Sequence, residues 1–116
     1  MNIYIISPVR QLDSRTHRLL LSYTHLLENL GHIIHLPVRD TDQKATAVEI
    51  SIQNVEAIRT ADRIDIYFDP TSQGSKFDLG VAFALRKPLC LINSISMREK
   101  EYATLILTWP FVEGDS

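Results

Sequence analysis

The chain has 116 residues, 45% hydrophobic and 22% charged, with a formal net charge of −2. This is the composition of a soluble globular domain able to bury its own core, and it argues against disorder. Scattered basic residues give nucleic acid no electrostatic footing, and the single cysteine excludes an internal disulfide.

Residues 3–6 form a short apolar run halted by Ser7-Pro8, which reads as a buried first strand. Leu19, Tyr23, Leu26, Leu27 and Leu30 then recur at helical steps, and Gly31 supplies the stop. Residues 33–36 read as a second strand closed by Pro37, and the polar stretch 37–46 as a long loop suited to a mobile lid. Val48, Ile52, Val55 and Ile58 mark one face of the next helix. Residues 63–68 alternate, with Ile64, Ile66 and Phe68 on one side of a third strand. A helix is predicted from about residue 75 to 85, and a fourth strand over 88–92 places Cys90 in the core as an inert thiol. In the tail, Tyr102, Leu105, Ile106 and Trp109 have helical spacing within a stretch rich in strand formers, and the reading is a helix.

Strands alternating with helices, over connections too long for hairpins, predict a parallel sheet covered on both faces. The expected fold is a single doubly wound α/β domain, flavodoxin-like or Rossmann-like, with a four- or five-stranded parallel sheet spanning residues 1–116. No apolar run approaches the roughly 18 residues of a membrane span, and no export signal opens the chain, so the expected location is the cytoplasm.

Two strand ends carry side chains suited to chemistry. Ser7-Pro8-Val9-Arg10 follows the first strand, where a hydroxyl and a guanidinium fork match phosphate oxygens, although the glycines and lysine of a P-loop are missing. A solvated arginine after a Pro-terminated strand is the plainer reading. The second is Asp69-Pro70-Thr71-Ser72-Gln73-Gly74-Ser75-Lys76-Phe77-Asp78-Leu79-Gly80, where a strand hands over to a helix whose free amides and dipole favour anions. Here Ser75 and Asp78 have the spacing of a capping box, with Gly80, Ala82 and Ala84 serving close packing. Alternatively Ser72 and the amides of Gly74 and Ser75 hold a phosphate while Asp78 faces a substrate. His17, His25, His32 and His35 lack metal-ligand spacing, so no metal or organic cofactor is expected. His17 and His25 are placed on the outside of the first helix, whereas His35 ends the second strand near a possible cleft. Trp109, Phe111 and Val112 are candidates for a partner surface.

These segments together resemble the nucleoside 2-deoxyribosyltransferase family, and within it the 2'-deoxynucleoside 5'-monophosphate N-glycosidases. The likeness runs from Ile3 to about Asn93. It rests on Tyr4-Ile5-Ile6-Ser7-Pro8-Val9-Arg10, on residues 54–62 ending Thr60-Ala61-Asp62, and on Ser72 through Gly80 followed by Ala82 and Ala84. The resemblance implies that Asp78 is the nucleophile attacking the anomeric carbon, with Tyr4 orienting it. It implies that Ser72 binds the monophosphate and that Ser7 and Arg10 lie along the substrate. Asn54 stands where the family has an acidic substrate contact, and Asp78 where it has glutamate. Asp69 is then a candidate donor of the proton that the departing base needs. The implied activity is cleavage or transfer at the N-glycosidic bond of a (deoxy)nucleoside 5'-monophosphate, in a homo-oligomer whose neighbouring subunit helps close the pocket. The two exchanged carboxylate positions motivate an alternative, a nucleotide-binding module without catalysis. A structural domain whose strand–helix junction is only a helix cap is the third.

Overall fold

Strands β1 (Asn2–Ile6), β2 (Ile33–His35), β3 (Arg63–Ile66) and β4 (Leu89–Leu91) pair in parallel in the order β2-β1-β3-β4. Helices α1 (Ser14–Asn29), α2 (Pro37–Asp40), α3 (Ala47–Thr60), α4 (Gln73–Ala84) and α5 (Lys100–Leu107) complete the chain, whose computed structural model describes residues 1–95 and 100–113. The sheet is four-stranded among the described residues, at the lower of the two expected counts.

Alternation along the strands sorts the core into two layers. Tyr4, Ile6, Ile64, Ile66 and Phe68 point to one face and meet Ile58 of α3, Leu79 and Ala82 of α4 and Ile106 of α5. Ile3, Ile5 and Ile34 point to the other face and meet Leu20 and Leu27 of α1. The fold is therefore a doubly wound α/β domain, as its alternation of elements implies. Strand order reverses between β1 and β3, and a crevice at the carboxyl ends of strands opens at such a switch point.

Several local expectations are corrected by this packing. α1 buries Leu20, Thr24 and Leu27, whereas Leu19, Leu26 and Leu30 are exposed. Leucines surround that helix, so periodicity alone left its inward face ambiguous by one position. Val48 and Ile52 are likewise exposed, and α3 reaches the core through buried Ile58 and half-buried Ala57 near its C-terminal end. Cys90 is exposed instead of buried. Leu89 and Leu91 turn to the three-helix layer, so alternation sends Cys90 to the opposite face, where α1 covers β1 and β2. Gly80 and Ala84 are exposed, and a Cβ on Gly80 would meet nothing within 4 Å, so only Ala82 serves close packing.

Residues 37–46 are also more ordered than a loop. They begin with α2, which has Pro37 at its first position, where a missing N–H costs nothing. The Asp40 carboxylate accepts from Leu36 N at 2.8 Å, Gln43 Nε2 donates to Pro37 O at 2.9 Å, and Asp42 N donates to Gln53 Oε1 at 3.1 Å. A capping box of Thr46 and Glu49 then starts α3. The tail is helical as expected. Trp109 is half-buried, packed edge-on against Phe83 and Phe111 with its Nε1 donating to Lys87 O, which fastens the tail to α4, while Val112 is exposed.

Candidate active site

The turn from β3 into α4 builds one wall of the site. Asn93 pairs with Phe68 through two hydrogen bonds, donating Nδ2 to Phe68 O at 3.0 Å and accepting from Phe68 N at 2.9 Å. This amide prolongs the pairing beyond the ends of β3 and β4. Asp69 Oδ1 then accepts from both Thr71 N and Thr71 Oγ1, and Ser72 N donates to Asp69 O at 3.1 Å. α4 begins directly after, with Ser72 as its N-cap: the Ser72 hydroxyl accepts from Ser75 N at 3.2 Å.

That cap decides between the two readings of Ser75 and Asp78. Ser72 caps the helix, which starts at Gln73 and not near Ser75, so Asp78 lies in the second turn and has no capping role. Ser75, Asp78, Leu79 and Ala82 form the buried stripe of α4, which aims the Asp78 carboxylate at the sheet. There the hydroxyl of Tyr4, 74 residues earlier in sequence, donates to Asp78 Oδ2 at 2.6 Å. Asp78 is only 6% exposed, and among the described residues no cation pairs with it. Burial pushes its carboxyl up to about 6, partly offset by the Tyr4 hydrogen bond. Tyr4 is fully buried, and burial and the adjacent Asp78 carboxylate raise its phenol well above the usual range, so it remains a proton donor.

A cavity of about 640 Å³ opens over this carboxylate, a size usual for small-ligand sites. Asp78, Asn54, Ser7, Arg10, Asp69, Ser72 and Gly74 all line it. Thus β1, α3 and the β3–α4 turn bring together most of the residues singled out in the sequence, at the switch point of the sheet. Two others stand behind the lining. Tyr4 reaches the cavity only through Asp78, and Ser75 is buried with its amide committed to Ser72.

Polar atoms in this wall remain open to a ligand. The Ser7 hydroxyl, on the lining, is buried without a hydrogen-bond partner among the described residues, as is that of Ser75 behind it. Gln73 and Gly74 occupy the first positions of α4, where backbone N–H groups have no intrahelical acceptor. The Ser72 hydroxyl, having used a lone pair on Ser75 N, keeps its proton for an incoming acceptor. Arg10 is exposed at the mouth, beside Gln11, whose φ of 56° bends the chain away from the strand.

Sequence reasoning missed a second set of residues. Gln43 and Ser51 also line the cavity without any motif to announce them, as do Gln73 and Phe77, which lie within the junction motif but are assigned no role there. His35, suspected only of reaching a cleft, stacks on the Tyr4 ring, with centroids 5.3 Å apart and planes 6° apart. Its Nε2 lies 2.8 Å from Thr41 Oγ1, and Thr41 Oγ1 donates to Asn54 Oδ1 at 2.7 Å. Burial lowers the His35 pKa below its ordinary value, a shift that Asp40 opposes and Arg39 assists. Among the described residues no group of three or more histidine, cysteine, aspartate or glutamate side chains is placed to hold a metal, and no helix is long and apolar enough to cross a membrane.

No family model and no curated protein sequence matches the chain. Solved structures do match it. A 2-deoxyribosyltransferase from Leishmania mexicana superposes with a TM-score of 0.62 at 28% identity, covering 84% of this chain and 69% of its own. The 2-deoxyribosyltransferase of the psychrotolerant bacterium Bacillus psychrosaccharolyticus gives a TM-score of 0.65 at 20% identity, covering 82% and 77%. The CMP N-glycosidase of Clostridium botulinum gives 0.68 at 18% identity, covering 96% and 81%. At the two lower identities the likeness is one of fold. All three neighbours belong to the enzyme group that the sequence motifs resemble.

Proposed function

We propose that this chain, whose fold is similar to that of two 2-deoxyribosyltransferases and a CMP N-glycosidase and whose motifs resemble that family, cleaves or transfers the N-glycosidic bond of a (deoxy)nucleoside 5'-monophosphate. The observation that carries the reading is Asp78: a buried carboxylate with no cation among the described residues, steadied on one oxygen by Tyr4, facing a nucleotide-sized cavity. Structural carboxylates at such depth are normally paired, so one in a cleft without a cation among the described residues supports a functional role.

In this reading Asp78 Oδ1 attacks C1' of the sugar as the C1'–N bond breaks and its electron pair leaves with the base. Oxocarbenium-like charge develops on the sugar and collapses to an ester with Asp78. Tyr4 holds Oδ2 and keeps the carboxylate aimed. The leaving base takes a proton from solvent or from Asp69, the second carboxylate of the cavity. Water, or a second base, then attacks C1' and releases Asp78. Aspartate is one methylene shorter than the glutamate of the resembled family, and its place on the inward stripe of α4, bonded to Tyr4, supports a substrate drawn closer to the sheet.

The phosphate is assigned to the start of α4. The Gln73 and Gly74 amides, the Ser72 hydroxyl and the helix dipole supply donors, Ser7 a further hydroxyl, and Arg10 a counter-charge. Ser75 contributes indirectly, by fixing the Ser72 rotamer through its amide. The chain acts as one domain, in the cytoplasm and as a homo-oligomer. The last is supported by exposed Val48, Ile52 and Phe77 beside the cavity, an apolar strip that a second copy would cover.

The test is a panel of nucleoside and deoxynucleoside 5'-monophosphates, followed by chromatography for free base. Wild-type protein is expected to release base and Asp78→Ala to bind nucleotide without releasing it. Full activity in that variant overturns the assignment. The amide at Asn54 in place of a carboxylate favours one second reading, a nucleotide-binding module: thermal stabilisation by the nucleotides with no base from wild-type protein would establish it.

A further inference from the structure

Asn54 is the one residue of α3 whose side chain is fixed by a chain of hydrogen bonds ending outside the cavity. Thr41 has a single hydroxyl proton, and it goes to Asn54 Oδ1. Thr41 Oγ1 then can only accept from its other neighbour, so His35 Nε2 must carry a proton. Thr41 is 5% exposed, which leaves little room for water to substitute at either bond. The His35 ring is itself held flat against Tyr4. On the other side of the amide, Asn54 Nδ2 makes no hydrogen bond among the described residues, and Asn54 lines the cavity.

We propose that His35 and Thr41 are positioning residues that lock the Asn54 amide with its carbonyl turned away from the cavity and its NH2 group turned into it, so that the ligand is recognised there by an acceptor atom. This rests on the nucleotide reading above and narrows it. An unconstrained asparagine flips to offer either a donor or an acceptor. A locked one selects a keto oxygen, an unprotonated ring nitrogen or a sugar oxygen over an amino group. The relay also ties recognition to the nucleophile, because the ring that fixes Thr41 stacks on the ring that bonds Asp78.

Two measurements test it. The first needs no ligand: 15N spectra of the His35 ring are expected to place its proton on Nε2 in wild-type protein and in Thr41→Ser. In Thr41→Val the two tautomers are expected to mix. A wild-type ring protonated on Nδ1 alone overturns the relay. The second uses nucleoside 5'-monophosphates titrated calorimetrically into Asp78→Asn protein, in which turnover does not distort the heats. At pH 8 the further change Asn54→Asp puts an accept-only oxygen where the NH2 group was, and affinity is expected to fall about tenfold or more. Thr41→Val should weaken binding by less, with Thr41→Ser restoring it, and melting curves confirm that each variant is folded. Equal or tighter binding by the Asn54→Asp variant overturns the proposal. If the Asp78→Asn protein binds no nucleotide at all, the nucleotide reading fails, while the tautomer spectra still decide the relay.

Discussion

Two buried aspartates, each bonded to a tyrosine, lie on opposite faces of the same sheet and do different things. Asp65 of β3 is fully buried, accepts from Tyr23 Oη at 2.5 Å, and is gripped by Arg63 through Nε at 2.7 Å and Nη2 at 3.0 Å. Asp78 is almost as deeply buried and, among the described residues, is bonded by Tyr4 alone. A forked guanidinium completes the first carboxylate and leaves it nothing to do but hold α1 to the sheet. The second keeps a raised affinity for protons and an oxygen turned to a cavity. Burial is shared, so the absence of a cation at Asp78 among the described residues is the difference on which the proposed role of Asp78 rests.

Altering either carboxylate should expose that difference. Asp78→Asn is expected to lower base release roughly 1,000-fold or more, as loss of a nucleophile does, measured as kcat on the best nucleotide. Arg63→Met leaves Asp65 buried with its charge unmatched, and should cost about 3–5 kcal/mol of stability in urea denaturation while activity per folded molecule stays unchanged. For Asp78 the stability effect has the opposite sign. Its folded pKa, about 6, lies above the unfolded value of 3.8, so the folded state holds the proton more tightly. The resulting stabilisation is complete below about pH 4 and is lost as pH rises through about 6. Asp78→Asn avoids the cost of a buried anion and should be more stable than wild type by about 3 kcal/mol at pH 7.5, with the difference vanishing near pH 4. A matching loss of stability at Asp78 and Asp65 would show the two sites to be equivalent.

The smallest effect expected is at Tyr4. Wild-type kcat/KM should rise with pH along a limb near pH 6, where Asp78 ionises. Because the Tyr4 hydroxyl favours the anion, Tyr4→Phe should move that limb upward by about one unit. An unmoved limb would mean that Tyr4 does not tune the carboxylate.

The layered fold was legible because strand alternation and turn residues are local signals. Ile64, Ile66 and Phe68 are all buried on one face as their spacing implies, and Gly31, at φ 95°, ends α1 where a residue with a Cβ would be strained. The helix faces were less legible. Leucine at both Leu19 and Leu20, and at both Leu26 and Leu27, makes two rotations of α1 equally apolar, and only the sheet chooses between them. Cys90 read as core because an apolar run does not reveal which face lacks a covering helix. At the site, Asp78 and Tyr4 could not be paired by any local rule across 74 residues, and the motif resemblance alone joined them. His35 and Thr41 carry no motif, and their bond depends on α2 folding residues that look like a loop.

The stereochemistry of the product tests most directly whether Asp78 forms a bond to the sugar. With methanol added as acceptor, base release yields a methyl glycoside 5-phosphate whose anomeric configuration does not scramble and can be read by proton NMR. Two displacements at C1' return the β configuration of the nucleotide, and that retained anomer is the result expected of a carboxylate nucleophile. The inverted α anomer would mean that solvent attacks the nucleotide directly, and Asp78 would then be no more than a base or a bystander.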